Sequence, residues 1–372
     1  MKKRLSLLLV LVMLAGLLSA CAAGPVPAPA VSSSTPAPAA AAAAEESPEP
    51  TPEASPEPTE APTPEPTAEP TPEPTPDASP EPSPEEDASP LQPMLWKLSD
   101  ADGHTLYLFG TIHVGDERSA AVLEKLSPLL LSCDALAVEF DAVAYQQDLS
   151  AVMADYRQFV YPDDSTVRDH MPEELYERCA ALLTEAKAYS PLLDHYNLAM
   201  WSNLVESAAM VTQSPLQTDD AMDLMLIQRA YDSKLPVLDV ESASFQMKLL
   251  NSFPEELNLL MIRSVLDGLD SYGESIDALY AAWLKGDYDE FLALFTAEDG
   301  EEELSEAERA LVEDYNKAMV EDRNLGMAEV ASGYLRSGDT VFMAVGTGHL
   351  VGQRGLVQLL QDLGFSAERL EY

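Results

Sequence analysis

Residues 94–372 of this 372-residue chain predict an α/β fold: a central, mainly parallel sheet flanked by helices, with a large helical insertion forming a lid over the carboxyl-end edge. Three observations predict it. Short apolar runs (TLYLF, DALAVEF, LPVLDV, DTVFMAV) are separated by long stretches with helical spacing. The first two runs flank the helical SAAVLEKLSPLL, and strand–helix–strand in about 35 residues is the unit that parallel pairing requires. Finally, the runs stop abruptly on Gly, His or Glu, at the edge where ligands gather in open α/β sheets.

The chain begins with MKKRLSLLLVLVMLAGLLSAC, a basic start followed by an apolar run and small residues, which is the pattern of a secretory signal over residues 1–20. Leu18-Ser19-Ala20-Cys21 resembles a bacterial lipobox, so Cys21 is expected to carry acyl chains and to hold the chain at the extracytoplasmic face of the cell membrane. That expectation makes the lipid anchor the chain's sole membrane contact. Residues 24–93 hold 22 of the 29 prolines and no Lys or Arg. Such a segment, within a spacer expected over 21–93, has too few large apolar groups to offset the entropy of ordering. Extended as polyproline II it would reach on the order of 200 Å.

The domain that follows opens with MLWKLSDADGHTLYLFGTIHVGD, two strands joined by a turn at Asp102-Gly103. SAAVLEKLSPLL is the crossover helix, and DALAVEF is a buried strand ending on Glu139 and Phe140. Residues 145–233 are mostly helical; PEELYERCAALLTEAKAY starts on Pro172 and acids, as helices favour. LPVLDVES returns to strand and ends on Glu241. A second helical block spans 254–336. DTVFMAV, the Gly346–His349 segment, the helix GLVQLLQDL and the strand FSAERLEY close the chain. Cys133 and Cys179 show no metal-cluster spacing, and Cys133 is expected to be a buried small residue. Trp201, Met200 and Met210 are expected in the core.

Charge excludes two classes of partner. The chain carries -43 in all, of which -32 falls on residues 94–372. Nucleic acid and anionic lipid surfaces would be repelled. Nucleotide binding is excluded on other grounds: AVGTGHLVGQRGL places Gly346, Gly348 and Gly352 at the wrong spacing for a dinucleotide fingerprint and has no Walker lysine.

What the stretch does share is a context. Gly110-Thr111-Ile112-His113 and Gly346-Thr347-Gly348-His349 each follow a β run, so His113 and His349 should meet at one sheet edge. Glu139 and Glu241 end strands at the same edge, where a buried carboxylate needs a partner. Two His and one or two Glu could ligate a divalent ion. Equally, a histidine could serve as general base with a glutamate orienting it. Arg323 could pair with either glutamate or steady developing negative charge. His104, His170 and His195 are expected to be surface or packing residues, and Arg354 either assists the site or begins the last helix.

The pieces LWKLSDADGHTLYLFGTIHVGD, LAVEFD, LPVLDVESASFQ, EDRNLGMAEV and FMAVGTGHLVGQRGLVQLLQDLGF resemble the TraB/GumN family, which is related to Tiki-type metalloproteases and more distantly similar to the erythromycin-esterase and haem-binding ChaN-like fold. The resemblance implies a metal-dependent peptidase site, with Mn, Co or Zn at His113, Glu139 and His349, acting on a peptide or protein. In the esterase relatives the equivalent His and Glu act on water without an obligatory metal, so the metal stays open. Arg323, Asn324, Glu241 and Gln246 are further family-like positions. The other class of function compatible with the same cleft is a binding lipoprotein that sequesters a peptide signal, metal or haem without turnover.

Overall fold

The computed structural model describes residues 91–297 and 304–372. The signal sequence, Cys21 and the spacer expected over 1–93 lie outside the described residues, save for 91–93, which already belong to the domain. Gln92 N donates to Leu284 O at 2.7 Å, and Leu91 packs against the core.

Six strands form one mixed sheet in the order β4-β3-β5-β2-β1-β6. They are β1 (Leu95–Ser99), β2 (Thr105–Thr111), β3 (Ala135–Val138), β4 (Val237–Asp239), β5 (Val341–Gly346) and β6 (Ser366–Arg369). The four strands β4, β3, β5 and β2 run parallel, while β1 is antiparallel to both β2 and β6. The β1–β2 hairpin turns at Asp102-Gly103 as expected; Gly103 has φ 89°, a left-handed conformation that glycine adopts without a Cβ penalty. Residues of β3 and most of β5 are buried, because helices cover both faces of a parallel sheet.

The crossover helix α1 (Glu117–Leu130) is capped by Asp116, whose carboxylate accepts from Arg118 N. The expected helical insertion follows β3: α2 (Ala142–Gln147), α3 (Leu149–Arg157), α4 (Val167–His170), α5 (Glu173–Glu185), α6 (Leu198–Gln213) and α7 (Met222–Ser233). After β4 come α8 (Ala243–Leu250), α9 (Glu255–Asp267), α10 (Tyr272–Lys285), α11 (Tyr288–Phe295), α12 (Glu306–Asn316) and α13 (Asp322–Ser337), the last two joined by a π-helical turn, Lys317–Glu321. α14 (Leu356–Asp362) precedes β6. Trp201, Met200 and Met210 are buried on α6, as expected. Cys133 and Cys179 are free and buried, and burial pushes their thiols up to about 11 and about 12, which makes them unreactive packing residues. No helix among the described residues is long and apolar enough to cross a membrane.

Candidate functional site

The parallel strands deliver their last residues to one edge. Past the end of β3, Glu241 N donates to Glu139 O at 2.8 Å, so the two glutamates stand side by side as the pairing of β3 with β4 runs out. On the other side of β3, β5 ends on Gly346, paired with Thr111 at the end of β2. His113 lies two residues beyond β2, and His349 closes the 3-10 turn Thr347–His349 beyond β5. All the expected strand-end groups therefore converge, and His113, Glu139, Arg323 and His349 line one cavity of about 80 Å³.

Two adjacent carboxylates at a buried edge repel unless a cation joins them. Arg323 does so from α13. Its Nη2 lies 2.5 Å from Glu139 Oε2 and 2.7 Å from Glu241 Oε2, and its Nε donates to both Glu241 oxygens at 3.1 Å. Nη1 donates to Met319 O at 3.2 Å. Gln246 Nε2 adds 3.0 Å and 2.9 Å bonds to Glu139 and Glu241. Burial works against the charge on Glu139, but Arg323, with His113 and the Gly346 amide beside it, outweighs burial and holds the carboxyl well below its usual range. Arg323 is thus committed to the two glutamates. Of the roles the sequence leaves open to it, the ion pair is the one its contacts fill, and an oxyanion would compete with carboxylates already in place.

Why Arg323 and its neighbour Asn324 both point inward is a matter of local geometry. Successive residues on an α-helix diverge by about 100°, yet Arg323 is 5 % exposed and Asn324 fully buried. The π-helical turn Lys317–Glu321 lies immediately before them, and such turns occur often at functional sites. Asn324 Nδ2 donates to Arg354 O at 2.8 Å, which turns its Oδ1 toward His349 Nδ1 at 2.6 Å. The Asn oxygen can only accept, so His349 carries its proton on Nδ1 and its Nε2 lone pair faces Glu139 Oε1 at 4.0 Å. Burial and the Arg323 charge lower the pKa of His349 to about 3, leaving it neutral.

His113 is held in the same manner by a group the sequence reading missed. Asp223, in the first turn of α7, places Oδ2 3.2 Å from His113 Nδ1, and Nε2 is left for the cavity. Burial disfavours charge on His113, but Asp223 and then Glu139 prevail, raising its pKa to about 9. An acid one residue into a helix reads in sequence as an ordinary dipole-complementing residue, so nothing marked it. The site thus pairs a protonated with a neutral imidazole, and opposed environments of this kind define acid and acceptor roles.

Gly346 sits where these groups meet. A Cβ there would stand 3.3 Å from Glu139 Oε1, 3.7 Å from His349 Cδ2 and 3.8 Å from His113 Nε2. Its N–H donates to Glu139 Oε1 at 2.9 Å. Overhead, the cavity wall is apolar: Leu250, Leu279, Phe291, Phe295 and Met319. These come from α8, α10, α11 and the π turn, so the cover over the reacting groups is drawn mainly from the second helical block, while the 145–233 insertion contributes Asp223. Arg354 points away, 3.3 Å from Glu321, and only its carbonyl serves the site, through Asn324. His104 pairs with Asp100 in the hairpin turn and His170 stacks on Tyr161, as packing or surface residues would.

For a divalent ion the donor types fit: two imidazole Nε2 atoms whose Nδ1 atoms are anchored by Asn324 and Asp223, beside one carboxylate, is the outer-shell arrangement that orients metal ligands. Among the described residues, however, the three donors that lie mutually within 4.8 Å are Asp100, Asp102 and His104. There Asp100 is already engaged, its Oδ2 with His104 Nδ1 and its Oδ1 accepting from the Asp102 and His104 amides.

An α/β domain whose parallel strands present two tethered imidazoles and an arginine-clamped glutamate in one cavity defines the class of protein. The chain belongs to the TraB/PrgY/gumN family, whose model matches residues 94–369. No curated protein and no solved structure matches it.

Proposed function

We propose that the chain is a hydrolase acting on peptide bonds, held at the extracytoplasmic face of a bacterial membrane through acylated Cys21. The observation that carries this reading is the pair of histidines, each anchored through Nδ1 by a different residue so that both Nε2 atoms address the space above Gly346 beside Glu139. Its support is geometric and chemical, together with the family's resemblance to metal-dependent peptidases.

His113, Glu139 and His349 are the residues that would hold Mn, Co or Zn, and such an ion would polarise the carbonyl and lower the pKa of bound water toward neutrality. The chain's own groups have definable tasks. Arg323 keeps Glu139 ionised in a buried place and pairs with Glu241, and Gln246 bridges the same two carboxylates. In the ion-free chain, His113 carries a proton on Nε2 and His349 does not. Water oxygen would form the bond to the carbonyl carbon while His349 Nε2 takes its proton; as the carbon–nitrogen bond breaks, the leaving nitrogen would take the proton of His113, and His349 would return its own to His113. The Glu139 charge, 4.0 Å from His349 Nε2, favours the transient imidazolium.

Two anchored imidazoles beside one carboxylate equally support the alternative of a binding lipoprotein that sequesters a metal ion without turnover. One experiment separates the two. The purified chain is stripped of metal, reloaded with Mn, Co or Zn, and assayed for bound metal and for cleavage of a peptide library, alongside His113→Ala and His349→Ala. Cleavage lost in both variants is expected. Cleavage that survives both sinks the assigned site, and metal bound tightly with no cleavage in any state transfers the reading to sequestration.

A further inference from the structure

The residues that lead into β1 are tied to the roof of the cavity. Leu284 is next to last in α10, where helix carbonyls lack an intrahelical partner. Two of those carbonyls are met from the corner between α10 and α11: Gly286 N donates to Trp283 O at 2.9 Å and Asp287 N to Ala282 O at 3.2 Å. Leu284 O is met from outside, by Gln92 N at 2.7 Å. A Cβ on Gly286 would fall 2.2 Å from Gln92 O, so the backbone of residue 92 lies directly against the corner. Arg369 grips the same corner, donating from Nη2 to Gly286 O at 2.9 Å.

Residues 91–93 are themselves held by groups outside the roof. Lys125 Nζ of α1 donates to Leu91 O at 2.9 Å, and Tyr372 OH donates to Pro93 O at 3.1 Å. None of these bonds belongs to a strand pairing, since β1 starts at Leu95. The segment can therefore lift from the corner with every strand of the sheet still paired.

The corner governs α11 because it is the root of that helix. α11 sets Phe291 and Phe295 over the cavity, yet of its eight residues Phe291 alone is buried. A short helix with so little buried surface belongs to the part of a fold that opens locally. Beneath it Glu139 and His349 are 8 % and 7 % exposed, so little of the reacting groups is reachable while the cover is down.

We infer that Leu91–Pro93 is a strap that clamps the α10–α11 corner and sets how readily α11 opens over the cavity. The clamp follows from the hydrogen bonds, and its bearing on catalysis rests on the hydrolase reading. A cut in the strap, or a partner that draws it away, frees the roof without unfolding the sheet.

The test compares the full chain with Gln92→Pro, which removes the donor to Leu284 O, with Tyr372→Phe, which releases Pro93 O, and with the double variant. Hydrogen exchange is followed by mass spectrometry in α11 and, as an internal reference, in α5. The double variant is expected to speed exchange in α11 by at least about fivefold while α5 stays within about twofold. It should also raise kcat/KM on a peptide library by at least about twofold, because the cover opens before chemistry. Should Gln92→Pro not fold, Tyr372→Phe alone must speed α11 by at least about twofold. Exchange in α11 at the wild-type rate, or α5 accelerated to the same degree, overturns the strap. A loosened α11 with kcat/KM unchanged or lowered overturns its control of access. If the wild type cleaves nothing, the hydrolase reading fails separately, and the strap is decided by exchange alone.

Discussion

Gly346 is the residue whose missing side chain makes the reacting space. Its φ of -50° and ψ of 135° suit any residue, so alanine costs no backbone strain, and its N–H bond to Glu139 survives the change. The added methyl would nevertheless stand between Glu139, His349 and His113. Gly346→Ala is therefore expected to fold with Tm within about 3 °C of wild type and to lose at least about tenfold in hydrolysis or metal retention, measured side by side. Full function in that variant would place the reacting groups elsewhere. The glycine was legible in sequence as the start of a Gly-Thr-x-His segment that follows a strand; that it clears a volume was not, because its neighbours Glu139 and His113 come from beyond the ends of β3 and β2.

Glu206, on α6, makes a prediction about pH. Burial raises its carboxyl pKa from 4.5 to about 8, and its nearest charged or titratable influences are on Tyr272 and Tyr315. The folded state then keeps a proton that the unfolded state gives up above 4.5. Its contribution is neutral below that pH, turns against folding as pH rises from about 4.5 to about 8, and is constant above. Glu206→Gln should match wild type near pH 4 and exceed its Tm by roughly 10 °C at pH 8.5; parallel Tm–pH curves for the two proteins would refute the assignment.

At the scale of elements, the roof is pinned to both histidine loops. Trp283 Nε1 of α10 donates to Gly110 O at 2.8 Å, and Gly352 N donates to Tyr288 OH of α11 at 2.8 Å. Gly286, left-handed at φ 63°, makes the corner between the two helices. Phe295 then lies so close to Gly348 that a Cβ there would fall 2.1 Å from its ring. Gly348→Ala is expected to displace α11 and cost about 2–3 kcal/mol, and Phe295→Ala, which makes room, should recover part of that loss in the double variant. Strict additivity by denaturant titration would mean the contact does not constrain the helix. None of this was readable from the periodicity of YDEFLALF, which gives the helix its apolar face but not the loop that face covers.

At the scale of the whole molecule, the mainly parallel sheet and its shared carboxyl edge were the legible part. Apolar runs ending in His113, Glu139, Glu241 and His349 imply convergence because parallel strands share a carboxyl edge. Asp223, Thr111 and the apolar roof were not legible, since each looks ordinary in its own element: a helix-start acid, a strand threonine, aliphatic core positions. What makes them part of the site is tertiary placement. Arg323 and Asn324 were visible as adjacent polar residues in a helix, but the π turn that directs both inward left no local mark in KAMVE.

The edge strand β6 has a consequence for force. Trp96 on β1 pairs with Arg369 on β6, Leu370 N donates to Leu95 O at 2.9 Å, and Tyr372 OH donates to Pro93 O at 3.1 Å, so the first and last described residues are knitted together. β1 also lies inside the sheet, between β2 and β6. A pull applied through residue 91 is borne in shear by two hydrogen-bond ladders at once rather than peeling an outer strand. The near wall of the cavity, Thr111 and His113 at and beyond the end of β2, stands one strand from β1, so whatever tugs on the amino-terminal side meets both ladders before it reaches the reacting groups.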